Sequence, residues 1–473
     1  MAKTTIPDVL AHRYASEEMV AIWGLEQKTI MERELWVAVM KLQKRLGVEI
    51  PDGAIEAYEA ALYDVDLIAI ETLERKLRHD VKAKIEVFNA LAGHEQIHKG
   101  MTSRDLTENV EQMQVRRSLE LIRNKAVTVL VRMAELATEN SSLVMAGRSH
   151  NVAAQPITLG KRFANFGEEL LHAFGHLDYV LGSYPLRGIK GPVGTQQDML
   201  DILPNPDDIV VLERGVAEHL GFESAMGSVG QVYPRSLDSE VVSCLLQLAG
   251  GPSSLATTIR LMAGQELVTE GFQKDQVGST AMPHKMNTRS CERINALTKV
   301  LKGLVVMANE LLGDQWNEGD VSCSVVRRVV LPDAFFAIDG IFETLLTVLE
   351  EFGAFPKIIA AELRRFLPFL ATTKLLMAAV RMGVGRETAH EMIKEKAVSA
   401  ALSMREGEEN LLLIRLDANP DWPVSLPDMK HAISSPIDLV GAAVPQIQAF
   451  ARSVEGVVAK YPEAATYRPG SIL

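Results

Sequence analysis

The chain has 473 residues, of which 47% are hydrophobic and 5% aromatic, and its formal net charge is −12 at pH 7. That length favours two or three domains, and the negative charge argues against nucleic acid or an anionic membrane as the main partner. The three cysteines form no CxxC pair, so neither a disulfide framework nor a zinc site is indicated. Because no apolar run reaches roughly twenty residues and the N-terminus is not of the secretion type, we expect a cytoplasmic protein.

Breaks at glycine and proline divide the sequence into three helical domains, predicted at residues 1–104, 105–352 and 353–473. The first contains shorter helices, the second contains the longest apolar-periodic runs, and the third is compact. Period-2 alternation is scarce throughout, so the sequence predicts an all-α protein.

The most regular segment, residues 101–146, contains neither glycine nor proline and predicts one long helix. Apolar residues recur along it at alternating steps of four and three, which is typical of helices that pack nearly parallel in a bundle. This heptad seam consists of Val115, Leu119, Ile122, Ala126, Val129, Met133 and Leu136. Further helices are predicted at about 157–182, 236–265, 287–313, 332–352 and 385–404. Such a bundle has more apolar surface than one chain covers, so we expect it to form the core of an oligomer.

Residues 278–287 read Gly-Ser-Thr-Ala-Met-Pro-His-Lys-Met-Asn and combine a hydroxyl, a cation and an amide, from Ser279, Lys285 and Asn287. By composition alone this segment is an ordinary surface loop before a helix. A loop that closes over an anionic substrate and carries a proton-abstracting group needs the same parts. The order of the residues resembles the hallmark of the fumarase/aspartase lyase superfamily, and this resemblance favours the second interpretation.

The segment from Gly147 to Arg162 follows the long run and contains one histidine, His150. A lone histidine at the end of a helix is often a cap or a packed side chain. The segment resembles the Gly-x-Thr/Ser-His-x-x-x-Ala-Gln-Pro-x-Thr-x-Gly-Lys sequence of the same superfamily, in which the histidine is the general acid that acts on the leaving group. The resemblance assigns that role to His150, since imidazole suits proton transfer near neutral pH.

Two polar segments lie before and at the start of the long run. The Arg-His-Asp segment at residues 78–80 is by itself typical of an exposed salt-bridged turn. Thr102 with Asp105 predicts a capping box that opens the long helix. A helix N-terminus also suits a carboxylate or a phosphate. Both segments resemble the adenylosuccinate lyase family of this superfamily, in which Arg-His-Asp and Thr-Ser bind the substrate. The positions that this resemblance implies are Arg78, His79, Asp80, Thr102 and Ser103.

The N-terminal segment His12-Arg-Tyr-Ala-Ser-Glu-Glu-Met19 strengthens that narrower resemblance. By residue type alone, Arg13 and Tyr14 are an unremarkable start to a helix. The segment is similar to the opening of the adenylosuccinate lyase family, in which arginine and tyrosine hold a nucleotide 5′-phosphate. Arginine suits that group because its planar fork makes two parallel charged hydrogen bonds to phosphate.

Later segments continue the resemblance in the same order, from Lys190-Gly-Pro-Val-Gly-Thr-Gln through Gly230-Gln-Val-Tyr-Pro-Arg to the stretch around Gln315-Trp-Asn-Glu. They imply substrate contacts for Gln196, Arg293, Ser324 and Arg328. Glu292 would orient and polarise His150, although a glutamate in the first turn of a helix is also favoured by the helix dipole. Gly319 stands where the family pattern has an arginine, and Thr288 replaces a proline.

The resemblance implies an anti β-elimination that releases fumarate from an N-succinyl group, with Ser279 as the base and His150 as the acid. Lys285 and Asn287 would hold the dianion that develops at the substrate carboxylate. Adenylosuccinate and succinylaminoimidazole carboxamide ribotide are the implied substrates. The resemblance also implies a homotetramer in which different subunits contribute to each active site. No cofactor and no metal is expected, because no His, Asp or Glu spacing suggests a metal site.

Two other interpretations stay open at this stage. Another lyase of the superfamily, such as argininosuccinate lyase or a carboxymuconate cycloisomerase, would have less reason to carry Arg13-Tyr14 and Arg78-His79-Asp80, because its substrate has no phosphate. A non-enzymatic helical scaffold would have no need of the full set Ser279, Lys285, His150 and Glu292.

Overall fold

The computed structural model describes residues 7–271, 281–282 and 284–470. In this part of the chain helices dominate, and the strands form only two short two-stranded antiparallel sheets. The all-α class predicted from the sequence is therefore confirmed.

The N-terminal region contains α1 Val9–Arg13, α2 Glu17–Trp23, α3 Leu25–Arg45, α4 Ala54–Ala60, α5 Leu67–Leu77 and α6 Asp80–Ala92. The central region contains α7 Ser103–Glu139, β1 Val144–Ser149, β2 Val152–Thr158, α8 Leu159–Ser183, α9 Gln197–Leu200, α10 Pro206–His219, α11 Ser236–Gly264, β3 Val268–Thr269, α12 Arg289–Asn309 and α13 Cys323–Glu351. The C-terminal region contains β4 Gly353–Ala354, α14 Pro356–Leu370, α15 Thr372–Arg381, α16 Arg386–Arg405, α17 Leu412–Asp417, α18 Leu426–Ala432 and α19 Ala443–Lys460, with short 3-10 turns at Pro436–Leu439 and Glu463–Thr466.

The long helices pack into a bundle in which α7 contacts α8 and α13, and α12 lies against both α11 and α13. Every position of the predicted heptad seam is buried, and Leu136 is the most exposed of them at 8%. Helices α8, α11, α12 and α16 begin and end within a few residues of their predicted bounds. The periodicity of the sequence therefore located the bundle correctly.

Two predicted boundaries are wrong. The long helix ends at Glu139 rather than at 146, because Asn140 caps it with its side-chain amide on Leu136 O (2.9 Å) and the following residues pair with β2 instead. Helix α13 begins at Cys323 rather than near 332, and it includes Pro332. A proline inside a helix loses one hydrogen bond, and here the burial of most side chains that follow it stabilises the helix.

The buried apolar side chains form two clusters. The larger cluster spans the N-terminal helices, the bundle and α19. The smaller cluster is built from α14 to α18 and receives Ala146 of β1, with Val144 and Ala153 packed against it. The hairpin of β1 and β2 therefore rests on the C-terminal helices, while the two boundaries between the three predicted domains stay a prediction.

A buried cation fastens both ends of the chain to the bundle. Lys125 of α7 is fully buried and pairs with Asp339 and, at 2.8 Å, with Glu343 of α13. Asp339 Oδ2 also accepts from Ser16 N (2.6 Å), and Glu343 Oε2 accepts from Gly470 N (2.8 Å). Burial raises the pKa of Asp339, and the ammonium of Lys125 opposes that effect. This network fixes the segment that directly follows Arg13 and Tyr14.

None of the described helices is both long and apolar enough to cross a membrane.

The contact between α1 and α13 should make stability depend on pH. Burial and the neighbouring Asp8 raise the pKa of Asp333 from 3.8 to about 7. Between pH 4 and about 7 the folded state therefore binds more protons than the unfolded state. The free energy of unfolding falls as the pH rises through this range. Asp333→Asn should raise the thermal midpoint relative to the wild type at pH 8 and much less at pH 5. Asp52→Asn, at a fully exposed carboxylate, should change neither midpoint. The same gain from Asp333→Asn at both pH values would contradict this assignment.

Candidate active site

Arg13 and Tyr14 lie where α1 ends, against the start of α12. The guanidinium carbon of Arg293 lies 5.5 Å from the centre of the Tyr14 ring. On the other side, Tyr14 packs so closely on α13 that a Cβ at Gly340 would lie 2.9 Å from Tyr14 Cβ. Three residues that are far apart in the sequence therefore form one corner of the molecule.

This corner collects positive charge in an acidic protein. Burial lowers the pKa of Arg293, and the nearby cations of Arg13 and Arg289 lower it further, while Tyr14 and Glu270 oppose the effect. Arg13 and Arg289 are exposed and Arg293 is half-buried. Closely spaced guanidinium groups with mutual repulsion suit an anion such as a phosphate. Arg289 was missed from the sequence, although it opens the predicted helix.

The turn between α5 and α6 holds Arg78, His79 and Asp80. Arg78 ends α5 in the left-handed conformation (φ 54°), and His79 caps α6, its Nδ1 accepting from Lys82 N at 3.2 Å. The proton of the neutral imidazole is therefore on Nε2. The three residues line an open cavity of about 760 Å³ together with Arg328 of α13. The structure thus brings Arg328 to the Arg-His-Asp segment, as one substrate site requires.

Thr102 and Ser103 begin α7, and the predicted capping box is present. Asp105 Oδ2 accepts from Thr102 N (2.8 Å), while its Oδ1 accepts from Lys190 N (2.8 Å), Gly191 N (3.0 Å) and Arg187 Nη1 (2.6 Å). The carboxylate of Asp105 is fully buried. One side chain therefore joins the start of α7 to the loop before α9.

That loop holds Gln196 at the start of α9, in the left-handed conformation (φ 57°). Its amide Nε2 donates to Ile189 O (2.9 Å), and its backbone N donates to Lys190 O (3.0 Å). Gln196 is therefore held beside the Asp105 junction.

Ser324 lies in the first turn of α13 and accepts from Arg104 Nη2 at 3.4 Å. Arg104, which also pairs with Glu108 (3.3 Å), was not singled out from the sequence. Arg104 lies inside the Thr-Ser-Arg-Asp segment, so the motif could have indicated it as a candidate site residue. The start of α7 and the start of α13 thus meet, with Arg328 one turn further along α13.

Behind these residues lies a buried ionic cluster that the sequence did not predict. Arg327 donates from Nε to Asp238 (2.7 Å) and from Nη1 to Glu111 (2.6 Å), and Arg235 pairs with Glu108 at 3.0 Å. Burial would raise the pKa of Glu111, but the cation of Arg327 holds it below its ordinary value. The cluster fixes α7, α11 and α13 against one another through Arg327, while its neighbour Arg328 lines the cavity beside Arg78 to Asp80.

His150 lies at the tip of the hairpin formed by β1 and β2. Ser149 pairs with Val152, which leaves His150 and Asn151 as a two-residue turn with φ values of 51° and 61°. Two positive φ values are the signature of the turn type that matches strand twist in hairpins. The prediction that His150 sits on a turn is correct, and its imidazole is exposed.

The polar loop at 278–287 lies partly outside the described residues, and Ser279 is among those that fall outside. Lys285 is exposed, and its backbone N donates to Met282 O at 3.1 Å. Asn287 is half-buried. The base of the loop is held by Glu270, whose carboxylate accepts from Ser290 N (2.9 Å) and Cys291 N (2.8 Å).

Glu292 occupies the first turn of α12, is 56% exposed, and lies 3.8 Å from Arg260 of α11. Among the residues that the structure describes, no hydrogen bond or ion pair joins Glu292 to His150. A single chain therefore does not show the carboxylate behind the imidazole that the resemblance implies.

The predicted residues fall into three groups within one chain. The first group contains Arg78 to Asp80, Thr102, Ser103, Gln196, Ser324 and Arg328. The second group contains Arg13, Tyr14, Arg293, Glu292, Lys285 and Asn287. The third group is His150 alone. Gly340, which packs on Tyr14, lies twelve positions after Arg328 on α13, a rise of about 18 Å. One chain thus presents parts of a site at separate places.

Steric contacts explain why residue 319 is a glycine. A Cβ at Gly319 would lie 2.7 Å from Gln231 Cβ, and one at Gly230 would lie 2.0 Å from Glu318 O. Gln231 N donates to Glu318 O at 2.6 Å across the same contact. The close approach of these two turns leaves no space for the arginine of the family pattern.

In the described ranges, no group of three or more His, Cys, Asp or Glu side chains is placed to hold a metal ion.

Comparison with known proteins identifies the family. Residues 15–303 match the family described as Lyase, and residues 368–450 match the family described as Adenylosuccinate lyase C-terminus. The adenylosuccinate lyase of Saccharomyces cerevisiae is 34% identical over 454 residues, which cover 93% of this chain and 93% of that protein. The adenylosuccinate lyase of Schistosoma mansoni is 31% identical over 448 residues, which cover 93% of each chain. The chain belongs to the adenylosuccinate lyase family.

Solved structures of lower identity show the same fold. The 3-carboxy-cis,cis-muconate lactonizing enzyme from Pseudomonas putida superposes with a TM-score of 0.81 at 17% identity, over 96% of this chain and 100% of that chain. The fumarate lyase from Mesorhizobium sp. BNC1 gives a TM-score of 0.80 at 20% identity, over 93% of this chain and 99% of that chain. The family match at 368–450 lies in the C-terminal region, beyond the last motif of the resemblance around Gln315-Trp-Asn-Glu.

The junction at Asp105 should be essential to this member of the adenylosuccinate lyase family. Asp105→Asn leaves the buried guanidinium of Arg187 without its counter-charge. It also replaces the oxygen that accepts from Thr102 N by an amide NH2 group, which cannot accept. We expect a loss of about 3–5 kcal/mol in the free energy of unfolding, measured by chemical denaturation. Asp66→Asn is the matched control, because Asp66 caps α5 at an exposed position and asparagine caps equally well. Equal midpoints for the Asp105 variant and the wild type would contradict this expectation.

Proposed function

We propose that this protein is an adenylosuccinate lyase that eliminates fumarate from adenylosuccinate, giving AMP, and from succinylaminoimidazole carboxamide ribotide in purine biosynthesis. The observation that carries the substrate assignment is the corner formed by Arg13, Tyr14 and Arg293, with Arg289 beside it. Concentrated cations of this kind suit the 5′-phosphate of a nucleotide. Argininosuccinate and carboxymuconate carry no phosphate and give no reason for the corner.

The elimination begins with removal of a proton from the succinyl carbon beside a carboxylate. Ser279 Oγ takes this proton, so the hydroxyl must act as an alkoxide stabilised by its surroundings. The electron pair first forms an aci-carboxylate with two negative charges, which the cation of Lys285 and the amide of Asn287 stabilise. The pair then forms the carbon–carbon double bond of fumarate as the carbon–nitrogen bond breaks.

His150 supplies a proton to the departing nitrogen, which leaves as the amine of the product. Its exposed position at the tip of a hairpin allows the imidazole to reach into a site built mainly by other segments. Glu292 orients that imidazole in this proposal. Arg78, His79, Asp80 and Arg328 bind the substrate along the open cavity that they line. Thr102, Ser103, Gln196 and Ser324 are further substrate contacts in this proposal.

We further propose a homotetramer whose active sites are shared between subunits. The three groups of site residues are separate within one chain, and Glu292 does not meet His150 there. The long helices also expose apolar side chains, which a partner would cover: Val300, Val306, Met307, Val325 and Val329. Helices that expose such faces are typical of bundles completed by other subunits.

The three free and buried cysteines suit a reducing, cytoplasmic location.

The proposed activity is tested by mixing the purified protein with adenylosuccinate and following the ultraviolet absorbance as AMP forms. We expect turnover with adenylosuccinate and none with argininosuccinate. The opposite pattern would replace this function with that of another lyase of the superfamily. No turnover with either substrate would favour a structural role for the fold.

The roles of base and acid are tested by Ser279→Ala and His150→Ala. Each variant should lose turnover by a factor of about 10² or more, because the base or the acid is removed from the same elimination. Helicity by circular dichroism and oligomer size by light scattering should stay unchanged. Near-normal turnover in either variant would show that the role belongs to another residue.

A further inference from the structure

The hairpin turn that carries His150 is conformationally costly. His150 and Asn151 both have positive φ values, 51° and 61°, although neither is a glycine. Two-residue hairpin turns need such φ values, but residues other than glycine rarely adopt them, so strand pairing and neighbouring side chains must hold this turn. The position of the imidazole therefore depends on contacts made by the neighbouring residues.

Arg148 makes those contacts. Its Nη1 donates to Asn151 O at 3.1 Å, and its Nη2 pairs with Glu362 Oε1 of α14. The pairing register of the two strands shifts between Gly147 and Arg148, an irregularity that can redirect the side chain that follows it. One guanidinium thus bridges the turn and a helix that begins more than two hundred residues later in the chain.

The surroundings of Glu362 leave its carboxylate dependent on Arg148. Its side chain is 12% exposed, and among the described residues its Oε2 has no hydrogen-bond partner. A second guanidinium, that of Arg162 in α8, donates to Ala146 O at 3.3 Å. Burial lowers the pKa of Arg162, the charge of Arg148 lowers it further, and Glu362 opposes both effects. The carboxylate is therefore the counter-charge of two guanidinium groups that grip the hairpin.

We propose that Arg148 and Glu362 are a pair of positioning residues that hold the His150 turn in place for proton transfer to the leaving group. The proposal rests on the proposed function, and it gives the C-terminal helices a part in the reaction. The smaller apolar cluster, which contains Ala146, supports the hairpin from the same side. Neither residue touches the substrate in this proposal, because each acts through the backbone of the turn.

The experiment compares Arg148→Met, Glu362→Gln and the double variant with the wild type. Loss of the clamp should lower kcat with adenylosuccinate by about 10- to 100-fold, since small displacements of a reacting group have effects of that size. KM should stay within about twofold, because the general acid acts on the transition state and not on substrate binding. The double variant should be no slower than Arg148→Met, because both changes remove one interaction.

Hydrogen exchange gives a readout that does not depend on turnover. Backbone amides in residues 147–156 should exchange faster in the variants, while peptides from α7 keep their protection. Arg148→Lys guards against simple unfolding, since lysine keeps the charge beside Glu362 but cannot bridge to Asn151 O at the same time. It should keep the wild-type thermal midpoint and still lose kcat several-fold.

The matched control is the ion pair of Arg117 and Glu34 (2.6 Å), which joins α7 to α3 and is similarly half-buried. Arg117→Met and Glu34→Gln should leave kcat and the exchange of residues 147–156 unchanged. Unchanged exchange in the Arg148 and Glu362 variants, or a rise in KM with kcat retained, would overturn the proposal. If the wild type itself does not convert adenylosuccinate, the proposed function fails, and the exchange measurement still decides whether the clamp holds the turn.

Discussion

Four hydrogen-bond donors converge on the carboxylate of Asp105 at the point where the longest helix begins. Three of them are backbone groups, from Thr102, Lys190 and Gly191, and the fourth is the buried guanidinium of Arg187. A buried carboxylate tolerates such a position only when its charge is compensated and its oxygens are satisfied. The same interaction therefore stabilises the start of α7 and sets the loop that carries Gln196. The positions of Thr102, Ser103 and Gln196 depend on this one side chain.

The distribution of charge follows from the same principle. The chain is acidic overall, yet several of its arginines meet buried carboxylates or line a cavity. Arg327 is enclosed by three carboxylates and holds helices together, whereas Arg328, the next residue, lines the open cavity. About 18 Å along α13, beside Gly340, Arg13 lies close enough to Arg293 to lower the pKa of its guanidinium. Arg13 and Arg328 are exposed and therefore accessible to an anionic substrate, which supports the proposed binding of a nucleotide.

The bundle also explains why one chain presents the site in pieces. Residues on one straight helix can be far apart, and α13 carries both the Arg328 end and the face against Tyr14. His150 is supported from a different direction, by α14 and the C-terminal cluster. Association of several bundles side by side would bring different groups of site residues from different subunits together, which is the arrangement that the proposed tetramer needs. The proposed clamp of Arg148 and Glu362 would then connect the C-terminal helices to the position of His150.

By itself, the sequence determined the helical class, the heptad seam and the capping box, because these depend on periodicity and on neighbours three or four residues apart. It also pointed to His150, Arg13 and Arg328 through motifs whose order matches the family. Only the tertiary structure decided that the long run ends at Glu139, since strand pairing with β2 competes with helix there. Contacts between distant segments were equally beyond the sequence: Arg13 beside Arg293, and Glu362 behind the His150 turn. Such contacts arise from packing, and no local pattern records which surfaces will meet.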